Sequence, residues 1–161
     1  VSVDRYITSD LQGGRIPALV NAGEPVIFCS HWQGFYGMHN DDRRGFNTLK
    51  AVVRRLNELD PKGIRTQWRK CSEITNYSCA REMAEIKVEG DTIKLDLPVR
   101  VPDLTLRLSD ADIKGISVDG KPLRKVSSHE DFKSGTFIID GDKTLVAFDP
   151  ERRNVEIKIE K

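Results

Sequence analysis

The amino-acid sequence predicts an α+β fold, in which a half that alternates helices with strands is followed by an all-β half. From Val1 to about Ile86, helical periodicity alternates with a short continuous apolar run. From Ile86 onward, apolar and polar residues alternate with a period of two. Two Asp-Gly pairs, which favour tight hairpins, lie in this second half. We therefore predict two domains, residues 1–85 and residues 86–161, which abut near Glu85.

The first half is predicted to contain a helix end, a buried strand and an amphipathic helix. The helix end is Pro17–Asn21, closed by Gly23 because glycine tolerates left-handed dihedral angles. The apolar run Pro25–Cys29 predicts a strand buried on both faces, as in a parallel sheet. The amphipathic helix stops at Asp60-Pro61. Its apolar residues recur at steps of three and four and are Phe46, Leu49, Val52, Val53, Leu56 and Leu59.

A short strand and one more helix complete the first half. Ile64, Thr66 and Trp68 alternate with polar residues, which predicts a strand with Trp68 in the core. Ser72 is predicted to cap a helix over residues 73–83, because its hydroxyl can accept a hydrogen bond from a free N–H of the first turn.

The second half is predicted to form a β-sandwich. Turns need positive φ angles, which glycine adopts at little cost, so Asp119-Gly120 and Asp140-Gly141 favour hairpins. Short strands separated by such turns are typical of a sandwich. The candidate strands are Ile86–Glu89, Thr92–Leu97, Leu104–Leu108, Gly115–Val118, Leu123–Val126, Thr136–Ile139, Thr144–Phe148 and Val155–Ile159.

Composition narrows the classes of partner. The net charge is +1, so no overall field attracts nucleic acid, and we expect no nucleic-acid partner. The apolar run Val26–Cys29 is far shorter than the roughly 20 residues that a membrane span requires. Cys29, Cys71 and Cys79 lack CxxC spacing, which disfavours a cysteine zinc site and a disulfide framework. A single Cys71–Cys79 bridge stays open.

Titratable, aromatic and amide side chains gather on the loop that follows the predicted buried strand. In α/β domains, ligands bind beyond the carboxyl ends of parallel strands, where this strand delivers His31. An imidazole titrates near neutral pH, so His31 could act as an acid or base; a hydrogen-bonded structural histidine is the alternative. The neighbouring candidates are Ser30, Trp32, Gln33, Tyr36, His39, Asp41 and Asp42.

Several residues of this loop have two alternative roles. His39 with Asp41 and Asp42 could bind a divalent metal, although their spacing matches no standard motif. Asp41 and Asp42 are better explained as caps of the helix that follows, where they complement its dipole. The aromatic side chains could stack on sugar faces or pack beneath the loop. They are Trp32, Phe35 and Tyr36.

The stretch Ala18–Gln33 resembles the closing part of polysaccharide deacetylase-like (NodB-type) domains. In that family, a late strand of a distorted β/α barrel ends in a His that protonates the leaving alcohol. Several members continue with His-Trp-Gln, a loop, an amphipathic helix, a strand with a Trp, and a Ser-Glu-Ile helix. The matching stretches are His31-Trp32-Gln33, Phe46–Leu59, Gln67-Trp68 and Ser72-Glu73-Ile74, so the resemblance covers about the first half.

The resemblance implies both a fold and a site. The fold would be the terminal βα elements of a distorted β/α barrel followed by an all-β immunoglobulin-like sandwich. His31 would be the general acid, and Trp32, Gln33 and Tyr36 would bind the substrate. Family members hold a divalent metal such as zinc with an Asp and a His-x-x-x-His pair. This sequence has no His-x-x-x-His, and we expect those motifs upstream of Val1.

We therefore expect the C-terminal fragment of a carbohydrate-active hydrolase that removes acetyl groups, inactive on its own. Its implied partners are a polysaccharide or oligosaccharide and the upstream part of the same polypeptide; an extracytoplasmic location is implied by the resemblance only. The alternative is a non-catalytic, carbohydrate-associated or structural β-sandwich module. The β half has Phe132, Phe137 and Phe148 but no Trp or Tyr, which disfavours a strong sugar-stacking platform.

Overall fold

The computed structural model describes residues 3–28, Phe35, residues 43–63 and residues 66–161. These residues form an α+β structure with three helices and two sheets of mostly antiparallel strands. The chain divides into two compact units, Val1–Trp68 and Arg69–Lys161. The predicted boundary near Glu85 lies inside the second unit and stays a prediction.

The first unit contains a short 3₁₀ helix, Val3–Arg5, and two α-helices in its described residues. Helix α1 is Arg15–Asn21 and helix α2 is Arg44–Leu59. Both predicted helix ends are confirmed. Gly23 follows α1 with φ 68°, and Asp60 follows α2 immediately before Pro61.

A small hydrophobic cluster and one arginine hold the described residues of the first unit together. Ile7, Ile16 and Val52 are buried against one another, so the cluster joins the N-terminal segment to both helices. Arg55 on α2 donates a hydrogen bond of 2.6 Å to the carbonyl of Ile7 and one of 2.7 Å to Asp4 Oδ1. Because the guanidinium is largely buried, these bonds fix the N-terminal segment on α2.

Two strands predicted in the first unit are absent from its described residues. The segment Pro25–Phe28 has no strand, and Ile27 is 58% exposed, so the prediction of a strand buried on both faces is wrong there. Trp68 was predicted in the core and is 70% exposed. A strand needs a hydrogen-bonded neighbour, and the described residues of this unit contain none. Cys29, Ile64 and Arg65 lie outside the described residues.

The second unit, described in full, consists of one helix and nine strands. Helix α3 is Cys71–Met83. The eight predicted strands are confirmed with small shifts at their ends, and β5 is an additional short strand. The strands are β1 Glu85–Glu89, β2 Thr92–Asp96, β3 Leu104–Leu108, β4 Gly115–Val118, β5 Lys121–Pro122, β6 Arg124–Val126, β7 Thr136–Asp140, β8 Lys143–Phe148 and β9 Asn154–Glu160.

Helix α3 begins earlier than predicted and is capped differently. Lys70 is the residue before the helix, and its N–H donates to Glu73 Oε2 at 3.3 Å. Ser72 therefore lies inside the first turn, and its predicted capping role is wrong. The longer Glu73 side chain reaches back to the helix entrance instead.

The two cysteines of the second unit are not bridged. Cys71 and Cys79 both lie on α3, and each carries a free thiol. Eight residues of α-helix advance about 12 Å, which is beyond the reach of a disulfide. The single bridge that the sequence left open is therefore not formed.

The strands form a five-stranded sheet, β1-β2-β9-β4-β5, and a four-stranded sheet, β3-β8-β7-β6. All pairs are antiparallel except β6 with β7. Both sheets contribute to one hydrophobic cluster. Its buried members are Ile93, Leu95, Leu97, Leu104, Ile113, Ile116, Val118, Phe137, Val146, Phe148, Val155 and Ile157.

The predicted hairpin signals are confirmed at both Asp-Gly pairs. Asp119 and Gly120 have φ angles of 49° and 77°, as the two central residues of a type I′ turn require, and they connect β4 to β5. At the second pair, Asp140 already pairs with Lys143. The turn residues there are Gly141, with φ 64°, and Asp142.

Asp119 also connects this turn to β9. Its Oδ1 accepts a hydrogen bond from the Glu156 N–H and one from Arg152, each at 3.0 Å, and its own N–H donates to the Glu156 carbonyl at 2.8 Å. Partial burial raises the pKa of Asp119, but the bonds from Arg152 and the Glu156 N–H outweigh it, so the pKa lies below the ordinary value of 3.8. The ionised form therefore stabilises the folded unit.

Replacing Asp119 should destabilise the second unit in a pH-dependent way. Asp119→Ala removes the acceptor and places alanine at positive φ, so the free energy of unfolding should fall by about 1–3 kcal/mol. Asp119→Asn keeps an oxygen acceptor and tolerates the dihedral angle, so its effect should be smaller. Because a lowered carboxyl pKa stabilises only the ionised state, the difference between wild type and Asp119→Asn should disappear as the pH falls below 3.8.

Chemical denaturation followed by circular dichroism, from neutral pH to below 3.8, measures this effect. Asp142→Ala is the matched control, because Asp142 is an exposed aspartate in the other hairpin. Equal losses for Asp119→Ala and Asp142→Ala would contradict the assignment.

Candidate functional site

The sequence-predicted site residues all lie outside the part of the chain that the structure describes. They are His31, Trp32, Gln33 and Tyr36, together with the alternative candidates Ser30, His39, Asp41 and Asp42. The described residues nearest to them are Phe28, Phe35 and Arg43. These three show how the segments around the predicted site are anchored.

The segment that leads to His31 is anchored on the first unit's hydrophobic cluster. Val26 packs against the cluster of Ile7, Ile16 and Val52. The Phe28 ring lies 5.0 Å from the Tyr6 ring, centroid to centroid, at an angle of 50°. Side-chain packing, and not a sheet, therefore holds the residues that precede the predicted site.

Phe35 lies on the C-terminal side of the predicted site and packs against helix α2. Its ring is 5.8 Å from the Phe46 ring, centroid to centroid, in an edge-to-face arrangement. Phe35 is half-buried, which matches the packing role among the two roles that the sequence left open. Arg43 is the residue before α2, with φ 44°. The predicted caps Asp41 and Asp42 lie outside the described residues.

The described residues of the first unit also contain a tight loop, between the 3₁₀ helix and α1, that the sequence did not predict. The Gly13 N–H donates to Thr8 Oγ1 at 2.8 Å, and the Thr8 N–H donates to the Gly13 carbonyl at 2.9 Å. Hydrogen bonds from the Thr8 hydroxyl and the Gln12 N–H lower the pKa of Asp10. A Cβ on Gly14, which has φ 98°, would lie 2.6 Å from the Tyr6 carbonyl oxygen. The adjacent glycines Gly13 and Gly14 are the sequence feature that could have predicted this loop. Its hydrogen bonds give it a structural role.

The second unit carries a shallow depression of about 380 Å³ on the polar face of its five-stranded sheet. Three of its charged groups, Lys94, Arg152 and Glu156, form ion pairs with neighbours. Lys94 Nζ lies 2.6 Å from Glu89 Oε2, which raises the pKa of Lys94 and lowers that of Glu89. None of the lining residues is a His, Cys, Ser or Thr, so the depression offers no nucleophile or neutral-pH acid–base group. They are Glu85, Lys87, Lys94, Leu95, Asp96, Arg152, Asn154, Val155 and Glu156.

Aromatic rings of the second unit are buried or half-buried. Phe137 and Phe148 are 1% and 3% exposed and belong to the shared core. Phe132 and Tyr77 are half-buried. Within Arg69–Lys161, no aromatic side chain is therefore fully exposed, which disfavours a broad platform for stacking on sugars.

The described residues provide no metal centre. Among them, no group of three or more His, Cys, Asp or Glu side chains is close enough to hold an ion. These residues therefore do not fit the divalent metal that the deacetylase resemblance implies. Among the described helices, none combines the length and apolar character that crossing a bilayer would require.

No protein-family model matches the sequence, and no curated protein sequence matches it. The functional assignment therefore depends on the motifs quoted above and on the local structure around them.

Proposed function

We propose that the chain is the C-terminal part of a carbohydrate-active hydrolase of the polysaccharide deacetylase type. In this proposal, residues 1–85 supply the closing part of a distorted β/α barrel, of which the described residues show the helices and no strand before β1. Residues 86–161 form an immunoglobulin-like β-sandwich that accompanies it. The catalytic metal ligands belong to the polypeptide upstream of Val1.

The observation that carries the proposal is the order of segments after Ala18–Gln33. An amphipathic helix forms at Arg44–Leu59, and the helix that contains Ser72-Glu73-Ile74 forms at Cys71–Met83. A two-sheet unit follows directly. Both helices lie where the family resemblance expects them, which supports the resemblance without testing the activity.

In the proposed reaction, water attacks the acetyl carbon and gives its proton to a base expected upstream of Val1, and the bond between that carbon and the sugar oxygen breaks, or the bond to nitrogen in chitooligosaccharides. His31 donates a proton to the departing oxygen or nitrogen, so that the sugar leaves as a neutral alcohol or amine. Trp32, Gln33 and Tyr36 bind the sugar beside it. The anchoring of Val26 and Phe28 supplies a fixed support immediately before this segment.

Acetate release tests the proposal. The full-length polypeptide, with any sequence upstream of Val1, should release acetate from acetylated xylan or chitooligosaccharides when zinc or cobalt is supplied. The 161-residue chain should release none under the same conditions, because it lacks the His-x-x-x-His ligands. Metal-dependent turnover by the purified 161-residue chain would refute its assignment as a fragment, and an inactive, folded full-length protein would refute the deacetylase function.

One observation favours a second candidate, a non-catalytic structural module, for the β-rich unit. Its exposed sheet face is charged and none of its aromatic side chains is fully exposed, which disfavours a sugar-stacking surface. Under this alternative, residues 1–85 are non-catalytic as well and only pack, so the full-length protein folds normally and releases no acetate. The same assay therefore separates the two candidates.

A further inference from the structure

The edge strand β1 of the five-stranded sheet exposes an apolar row. Ile86 and Val88 lie opposite Leu95 and Ile93 of β2, so they share the face that builds the core. Their partners are 3% and 6% exposed, whereas Ile86 is 57% and Val88 68% exposed. The buried core thus stops at β2 and leaves the β1 side chains of the same row uncovered.

The backbone groups of the same residues point away from the sheet. The Leu97 N–H donates to the Arg153 carbonyl, and the Ile159 N–H donates to the Asp91 carbonyl, so odd-numbered residues of β2 bond to β9. Even-numbered residues of β2 then bond to their β1 partners, which are Glu85, Lys87 and Glu89. Ile86 and Val88 therefore direct their N–H and C=O groups outward.

We propose that β1 pairs antiparallel with β1 of a second copy of this chain, around a two-fold axis at Ile86. In this register Glu85 of each copy lies opposite Lys87 of the other, and Ile86 lies opposite itself. Val88 lies opposite Ala84, which has extended dihedral angles of −67° and 135°. The apolar row becomes continuous across the two copies, and both charged pairs on the polar face are of opposite sign.

The charges of the facing side chains favour this pairing register over the two adjacent registers. An axis at Lys87 would place Lys87 opposite itself and Glu85 opposite Glu89, which are like-charge pairs. An axis at Val88 would require Gly90, with φ 60°, to pair as extended strand. The association also closes at two copies, because the outer strands of the joined sheet are then the two β5 strands, and Lys121–Pro122 is too short to extend it.

Sedimentation of the 161-residue chain over a range of concentrations tests the proposal. The wild type should dimerise, and Lys87→Glu should weaken the dimer by roughly tenfold or more, because two attractive pairs become repulsive. The double variant Glu85→Lys/Lys87→Glu should restore it. Ile86→Pro should abolish it without disturbing β2, since the lost N–H faces outward.

Arg107→Glu is the matched control, because Arg107 is an exposed residue on β3, the edge of the other sheet. It should leave the dimer unchanged. The proposal is overturned if the wild-type chain stays monomeric, or if Lys87→Glu and Ile86→Pro leave the dissociation constant of the dimer unchanged. Protection of the Ile86 and Val88 amides from hydrogen exchange should increase with protein concentration. Protection that does not depend on concentration would mean that another segment of the same chain covers β1, and it would also overturn the proposal.

Discussion

If the full-length polypeptide has the proposed deacetylase activity, its turnover should fall by about 10²- to 10⁴-fold when His31 is replaced by alanine or glutamine, because general acid catalysis contributes that much to the rate. Folding should be little affected if the side chain faces a groove. Acetate release and the melting temperature, measured on the same preparations, test both expectations.

His129→Ala is the control for this experiment, since it removes an imidazole that is exposed in a loop of the second unit and is no candidate for the site. It should retain most of the turnover. A structural His31 would give the opposite pattern, with unchanged activity per folded molecule and a melting temperature lowered by several degrees. That pattern would assign His31 to the support of the fold and remove it from the proposed mechanism.

Phe137→Ala should destabilise the second unit by about 3–5 kcal/mol, which is a large share of the stability of a typical domain. The Phe137 ring is 1% exposed and lies on β7 opposite Val146 of β8, in the cluster that both sheets share. Its removal leaves a cavity between elements that cannot easily collapse. Hydrogen exchange of β7 and β8, together with chemical denaturation, measures the loss.

Phe132→Ala provides the comparison, because Phe132 is half-buried in a loop outside the core cluster. Its loss should cost clearly less than that of Phe137. Similar destabilisation by the two variants would mean that the shared cluster does not dominate the stability of this unit.

The β-rich half could be predicted from the sequence because its signals are local. Alternation in Val155, Ile157 and Ile159 reports a face buried on one side, and Asp119-Gly120 reports a turn whose dihedral angles few other residues adopt. Pairing order is not local, and nothing in the sequence placed β9 between β2 and β4. The parallel pairing of β6 with β7 could not be predicted from the sequence either.

The first half was harder to predict because an apolar run shows neither that a neighbouring strand exists nor that the run itself is buried. Pro25–Phe28 has the composition of a buried strand, yet without a neighbouring strand its residues pack through Val26 and Phe28 alone. Trp68 was assigned to the core from alternation over too few residues. Of the candidate site, the sequence indicated the packing partner Phe35, whereas His31 and its neighbours stay a prediction.

The central position of β9 constrains when this unit can fold during synthesis. The other strands of this unit are synthesised before β9, yet within the five-stranded sheet the β1–β2 hairpin and the β4–β5 hairpin are joined to each other only through β9. Until β9 emerges, the apolar faces of both hairpins have no shared sheet, and contacts so distant in sequence form slowly. The nascent chain therefore exposes apolar surface until β9 is complete, and a premature stop codon before Asn154 should give an aggregation-prone product in which the two hairpins share no sheet.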